Sequence, residues 1–177
     1  MRPARPTFPL IVLVTLAAIL SGCASAPTPR AWAASVCTAL APWRTEISTL
    51  ATRTQQQMTA ATTPAQAREN LMRLFGGAED ASEKARTGVQ RAGIPDVAHG
   101  AAVARSFTTS LSAVRDAYGR ARSGVQALAT APAKTFYTQV AAVVDRLNQD
   151  YAKSQLDTST LDSKELKDAF DEVPECR

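Results

Sequence analysis

Three cysteines, one histidine and one tight acidic cluster are the residues of this chain best suited to chemistry. His99 is the only histidine, so the sequence holds no two-histidine zinc set, no paired Glu-x-x-His set and no Cys-x-x-Cys-His haem attachment. A Ser-His-Asp hydrolase would have to use His99, which stands beside Gly100 in a turn without a nucleophile-elbow sequence. This histidine reads as a helix cap or a solvent-facing side chain, the functional alternative being a pH-sensitive surface contact. Glu79 and Glu83, with Asp80 beside them, put two carboxylates on one helical face. Paired carboxylates do acid/base work where a cleft drives their pKa values apart. Lys84 and Arg86 interleave with them, which reads instead as a solvated, charge-laced face. No catalytic residue, metal ligand or cofactor is assigned from these groups, and the chain reads as no enzyme.

The cysteines say more. Cys23 follows an apolar run at residues 10–20, itself preceded by Arg2 and Arg5. A hydrocarbon core of about 30 Å needs about 20 apolar helical residues, so the run is too short to span. It fits an export signal, with charged, apolar and small-residue regions in order. Two endings compete. Ala24-Ser25-Ala26 suits the general signal peptidase and would release the protein, whereas Leu20-Ser21-Gly22-Cys23 resembles the lipobox of bacterial lipoproteins. That resemblance implies a diacylglycerol thioether on Cys23, cleavage before it and fatty acylation, such as palmitate, of the new amino terminus. Two or three chains anchor stably where a single one holds only marginally. Residues 1–22 are then the signal peptide, 23–31 a lipidated tether and 32–177 the folded domain. The tether, with Pro27 and Pro29, reaches roughly 15 Å, so the domain is expected to sit against the extracytoplasmic face of the cell membrane.

With Cys23 used as the anchor, Cys37 and Cys176 remain, an even number in an oxidising compartment. A bridge between them would close a loop of about 140 residues, worth roughly 4–5 kcal/mol in the chain-entropy model. The rival is a pair of buried or intermolecular thiols; a redox-active pair is disfavoured because there is no Cys-x-x-Cys.

The elements that must position these residues are helical throughout. Val36, Leu40, Trp43, Ile47, Leu50, Thr54 and Met58 recur at spacings of four and three. Thr63-Pro64-Ala65-Gln66 reads as a capping box with proline at the first helical position. A second seam runs from Ala67 through Leu71, Leu74 and Ala78 to Val89 and stops at Gly93, a left-handed terminator. A third takes in Val103, Phe107, Leu111, Val114, Tyr118 and Val125, and Ala131-Pro132 breaks it. Phe136, Val140, Val143, Val144, Leu147 and Tyr151 form a fourth. Asp162, with Glu165 three residues on, is expected to cap a short fifth helix carrying Leu166 and Phe170. The pattern predicts an all-α fold, an up-down-up-down four-helix bundle with a short C-terminal fifth helix. In that topology Cys176 returns to the end where Cys37 sits, at the membrane-proximal end.

The mature region resembles small helical lipoproteins and secreted proteins of high-GC Gram-positive bacteria. The resemblance rests on Cys37 with Trp43, the Gly93-Ile94-Pro95-Asp96 turn, Tyr118 in an Ala/Arg-rich helix, and the Pro174-Glu175-Cys176 ending. It implies architecture and location and carries no catalytic residue. Without Arg2 and Arg5 the chain has 18 basic against 16 acidic side chains, too even a balance for a nucleic-acid partner. Basic residues dominate 23–144 and acidic ones 145–177. This reads as an acidic tail packed across basic helices, or alternatively as a basic face toward anionic lipid or wall polymer. Gly76-Gly77 marks close approach of a neighbouring helix, or a hinge. Trp32 belongs to the membrane interface or to the end of the bundle. The expected role is a non-enzymatic interaction module touching another envelope protein, the alternative a carrier for a lipid or other apolar molecule inside the bundle. The sequence leaves the oligomeric state open.

Overall fold

The computed structural model describes residues 25–154 and 163–177. They form α1 Pro29–Gln57, α2 Pro64–Arg91, α3 Gly100–Gln126, α4 Ala133–Ala152, α5 Lys164–Glu172 and a terminal 3-10 turn, Pro174–Cys176. Cys23 lies outside the described residues.

Helix starts follow their capping chemistry. The Thr63 hydroxyl accepts from the Gln66 N–H and Gln66 Oε1 accepts from the Thr63 N–H, with Pro64 opening α2. Such a cap is worth about 1 kcal/mol. α1 begins the same way: Thr28 accepts from the Ala31 N–H, and Pro29 supplies the first residue. Residues 29–31, expected in the tether, are therefore the first turn of α1; Thr28-Pro29 is a helix start, not linker. At α5 the cap is Ser163, whose hydroxyl accepts from the Leu166 N–H. The expected cap, Asp162, lies outside the described residues. Gly93 follows α2 with φ +79°, as a left-handed stop requires.

The four long helices run up, down, up and down. Trp43 donates to Ser82 across α1 and α2 (3.0 Å), Arg115 to Glu83 across α2 and α3 (2.7 Å), and Arg120 to Asp150 across α3 and α4 (2.9 Å). Two apolar cores result. One, toward the Cys37 end, joins Trp32, Val36, Leu40 and Trp43 of α1 to Ala85 and Val89 of α2, Phe107, Leu111 and Val114 of α3, and Leu166 and Phe170 of α5. The other gathers Leu71 and Phe75 of α2, Ala121 and Val125 of α3, and the half-buried Val140, Val143, Val144 and Leu147 of α4. Tyr118 packs against both, and burial pushes its phenol pKa up to about 12.

The short fifth helix thus shares the first core with α1, α2 and α3, while α4 supports the second. α4 buries only Phe136 completely. In α2 the buried position is Phe75, with Leu74 half-buried. Leu74 and Phe75 flank the line of the buried Leu71 and Ala78 on opposite sides, and it is Phe75 that enters the second core with Leu74 packed beside it. The acidic tail does reach the basic helices: Arg30 pairs with Glu172 at 3.3 Å, and Arg120 with Asp150. Trp32 is fully buried at the bundle end, which overturns its reading as a membrane-interface residue. The cause is its indole N–H, satisfied by the Gly93 carbonyl at 2.9 Å, and its packing against Phe107 and Phe170.

Candidate functional site

Cys37 and Cys176 are joined by a disulfide, with Cα atoms 5.0 Å apart across 139 residues of sequence. The topology positions them. Cys37 faces the first core from α1, and α5 with the 3-10 turn lays Cys176 against the same stretch of helix. The bridge therefore ties the C-terminus to α1 directly under the Trp32–Phe107–Phe170 cluster.

The other residues singled out in sequence take structural places. His99 occupies the position before α3 with φ 60°, exposed and without a side-chain capping bond. Gly77 lies against α1: a Cβ there would meet Leu50 Cδ1 at 2.7 Å. A Cβ on Gly76 would meet the Arg122 side chain at 3.3 Å, and α2 continues unbroken through both glycines. Close helix approach accounts for the pair.

The acidic cluster divides. Glu83 accepts from Arg86 at 2.7 Å and from Arg115 at 2.7 Å, Glu79 lies 3.3 Å from Arg122, and Asp80 is exposed. Hydrogen bonds from Arg86, then Arg115, lower the Glu83 pKa to about 2. A lowered carboxylate pKa gives stability that is present above the unfolded value and is lost as pH falls toward the folded one. The side chain is 40% exposed, so screening reduces the contribution to about 1 kcal/mol. Glu83→Gln is accordingly expected to cost about 1 kcal/mol at neutral pH. The difference from the parent should fade between pH 4.5 and about 2, as read by urea unfolding at a series of pH values.

A feature that sequence reasoning missed is a groove of about 580 Å³ lined by α1 and α2 alone. Its floor is Ala39, Trp43, Ala81 and Ala85. Ala39 lies beside Gly88, where an added Cβ would meet the Ala39 methyl at 2.7 Å, and Leu50 lies beside Gly77. Along the groove, Glu46 and Asp80 therefore stand toward one end and Arg91 toward the other, with Lys84 between. The only sequence signal was the small-residue spacing Gly77, Ala81, Ala85, Gly88, which marks close packing as readily as a surface. A smaller groove of about 290 Å³ separates α3 from α4 over Ala117, Ala121 and Gly124. At its rim Arg120 and Arg146 flank Asp150, and the Arg120 hydrogen bonds hold that carboxyl below the usual carboxylate range.

Among the described residues no three His, Cys, Asp or Glu side chains come together as metal ligands, and no helix is long and apolar enough to cross a membrane. Comparison with protein-family models, curated proteins and solved structures returns no match.

Proposed function

We propose that the chain is a lipoprotein anchored through Cys23 on the extracytoplasmic face of the cell membrane, where it serves as a non-enzymatic interaction module. Its α1–α2 groove receives an amphipathic helical segment of another envelope protein. The groove carries this reading: an apolar floor between charged rims is the surface that an apolar helix face with flanking charges fills. With acid at one end and base at the other, it favours a segment whose charges run in the opposite order. The Cys37–Cys176 bridge supports the address, because disulfides persist in oxidising compartments.

The test is a native mass spectrum of the membrane-extracted protein in mild detergent without reductant, repeated with Asp80→Lys/Lys84→Glu. Both positions are exposed, and surface substitutions of this kind change stability by less than about 0.5 kcal/mol. The parent is expected to carry a second protein in fixed ratio, and the double variant to retain at least about tenfold less of it, since like charges set opposite one another cost several kcal/mol. A partner held equally by both would remove the groove from the proposal. An added small apolar molecule would instead favour the carrier, for which α4 is the part that would move, its valine seam being only half-buried over Ala121 and Gly124.

A further inference from the structure

The chain entering α1 is fastened to the turn between α2 and α3. The Pro27 carbonyl accepts from the Asp96 N–H at 2.9 Å, and a Cβ on Gly93 would lie 3.9 Å from the Pro27 ring. That turn is stiff. Pro95 is buried, the Val97 N–H bonds the Pro95 carbonyl, and His99 holds a left-handed backbone. Gly100 leaves no room for a side chain, since a Cβ there would stand 2.1 Å from the Pro95 oxygen. At its tip Ile94 is 53% exposed, the most exposed large apolar side chain of the described residues. Within this frame it is directed to the surface. A lone exposed isoleucine needs no explanation in general; its place, two residues before the Asp96 N–H that holds the entering chain at Pro27, gives this one meaning.

We infer that the α2–α3 turn is a second membrane contact, with Ile94 entering the interfacial region of a phospholipid bilayer while Cys23 holds the chain. The inference rests on the anchor reading of Cys23. Three residues separate Cys23 from Pro27, and four steps of chain reach at most about 14 Å. The turn is therefore kept within headgroup distance of the anchored thioether. Charge at this end is mixed, with Arg91 and Arg105 exposed but Asp96, Glu172 and Glu175 also present. Apolar entry, not attraction to anionic lipid, makes the contact. Both attachments lie at one end of the bundle and leave the α1–α2 turn at the far end.

The test uses the full acylated chain in phosphatidylcholine vesicles with dibrominated acyl chains, with and without phosphatidylglycerol. Tryptophan is placed at Ile94→Trp or, at the opposite end, Ala61→Trp; the native Trp32 and Trp43 are buried. Emission from position 94 is expected to fall about twofold or more, equally in both lipid mixtures, as an interfacial indole should, while position 61 is unquenched. Acylated protein whose position 94 is not quenched would overturn the inference and leave the anchor standing. A mass spectrum showing unmodified Cys23 would overturn the anchor and the inference with it.

Discussion

Replacing both bridge cysteines, Cys37→Ala with Cys176→Ala, is expected to remove about 5 kcal/mol of stability. The loop between them spans 139 residues, and its closure restrains the unfolded chain more than a short loop would. Folded domains hold only about 5–15 kcal/mol in total, so the loss approaches the lower end of the whole. In urea, with a slope of about 1–3 kcal/mol per molar, the midpoint should drop by roughly 2 M or more. Reductant added to the parent should reproduce the shift and do nothing to the variant. The bridge also decides how unfolding begins. α5 has nine residues, short of the about 12–15 that a lone helix needs in water. It persists only while Leu166, Ala169, Phe170 and Val173 stay seated on the first core. Without the bridge, amide exchange in α5 is expected to exceed that in α2 and α3; equal rates and an unmoved midpoint would refute the tie.

Much of this architecture was legible because helices announce themselves in local chemistry. Thr63-Pro64 with Gln66 located α2, Gly93 ended it, and Ala131-Pro132 separated α3 from α4. The Cys37–Cys176 pairing followed from parity and from the direction of travel of four helices. Thr28-Pro29 carried the same start signal as Thr63-Pro64 and was obscured by the neighbouring Pro27, which makes the segment resemble a linker. What sequence could not supply depends on distances between helices. Periodicity marks the seam of α4 but not how deeply it is buried; with the first core closed by α5, most of that seam remains half-exposed. The burial of Ser82 is equally non-local: a small polar residue on α2 is held there by Trp43, 39 positions away. The groove is of the same kind, since Gly88 and Gly77 read alike whether they admit a neighbouring helix or border an open surface.

Trp32→Ala is expected to cost about 3–5 kcal/mol, the usual penalty for truncating a buried tryptophan. Its residue is 0% exposed, and its ring meets Phe107 edge-on at 5.4 Å and Phe170 at 5.9 Å. It therefore joins α1, α3 and α5, and through the Gly93 carbonyl it joins the turn after α2 as well. Trp32→Phe separates the two contributions. A phenyl ring keeps an aromatic edge against Phe107 and Phe170 but no donor for the Gly93 carbonyl, so a loss of about 1 kcal/mol is expected from the hydrogen bond. The cluster also couples the positions: Phe170→Ala combined with Trp32→Ala should cost at least about 0.5 kcal/mol less than the two separately, because residues in contact share the interaction each removes. A tryptophan serving the membrane would behave differently, its replacement weakening vesicle binding and sparing unfolding of the soluble domain. The urea midpoint of Trp32→Ala therefore distinguishes a side chain that closes the bundle from one that faces lipid.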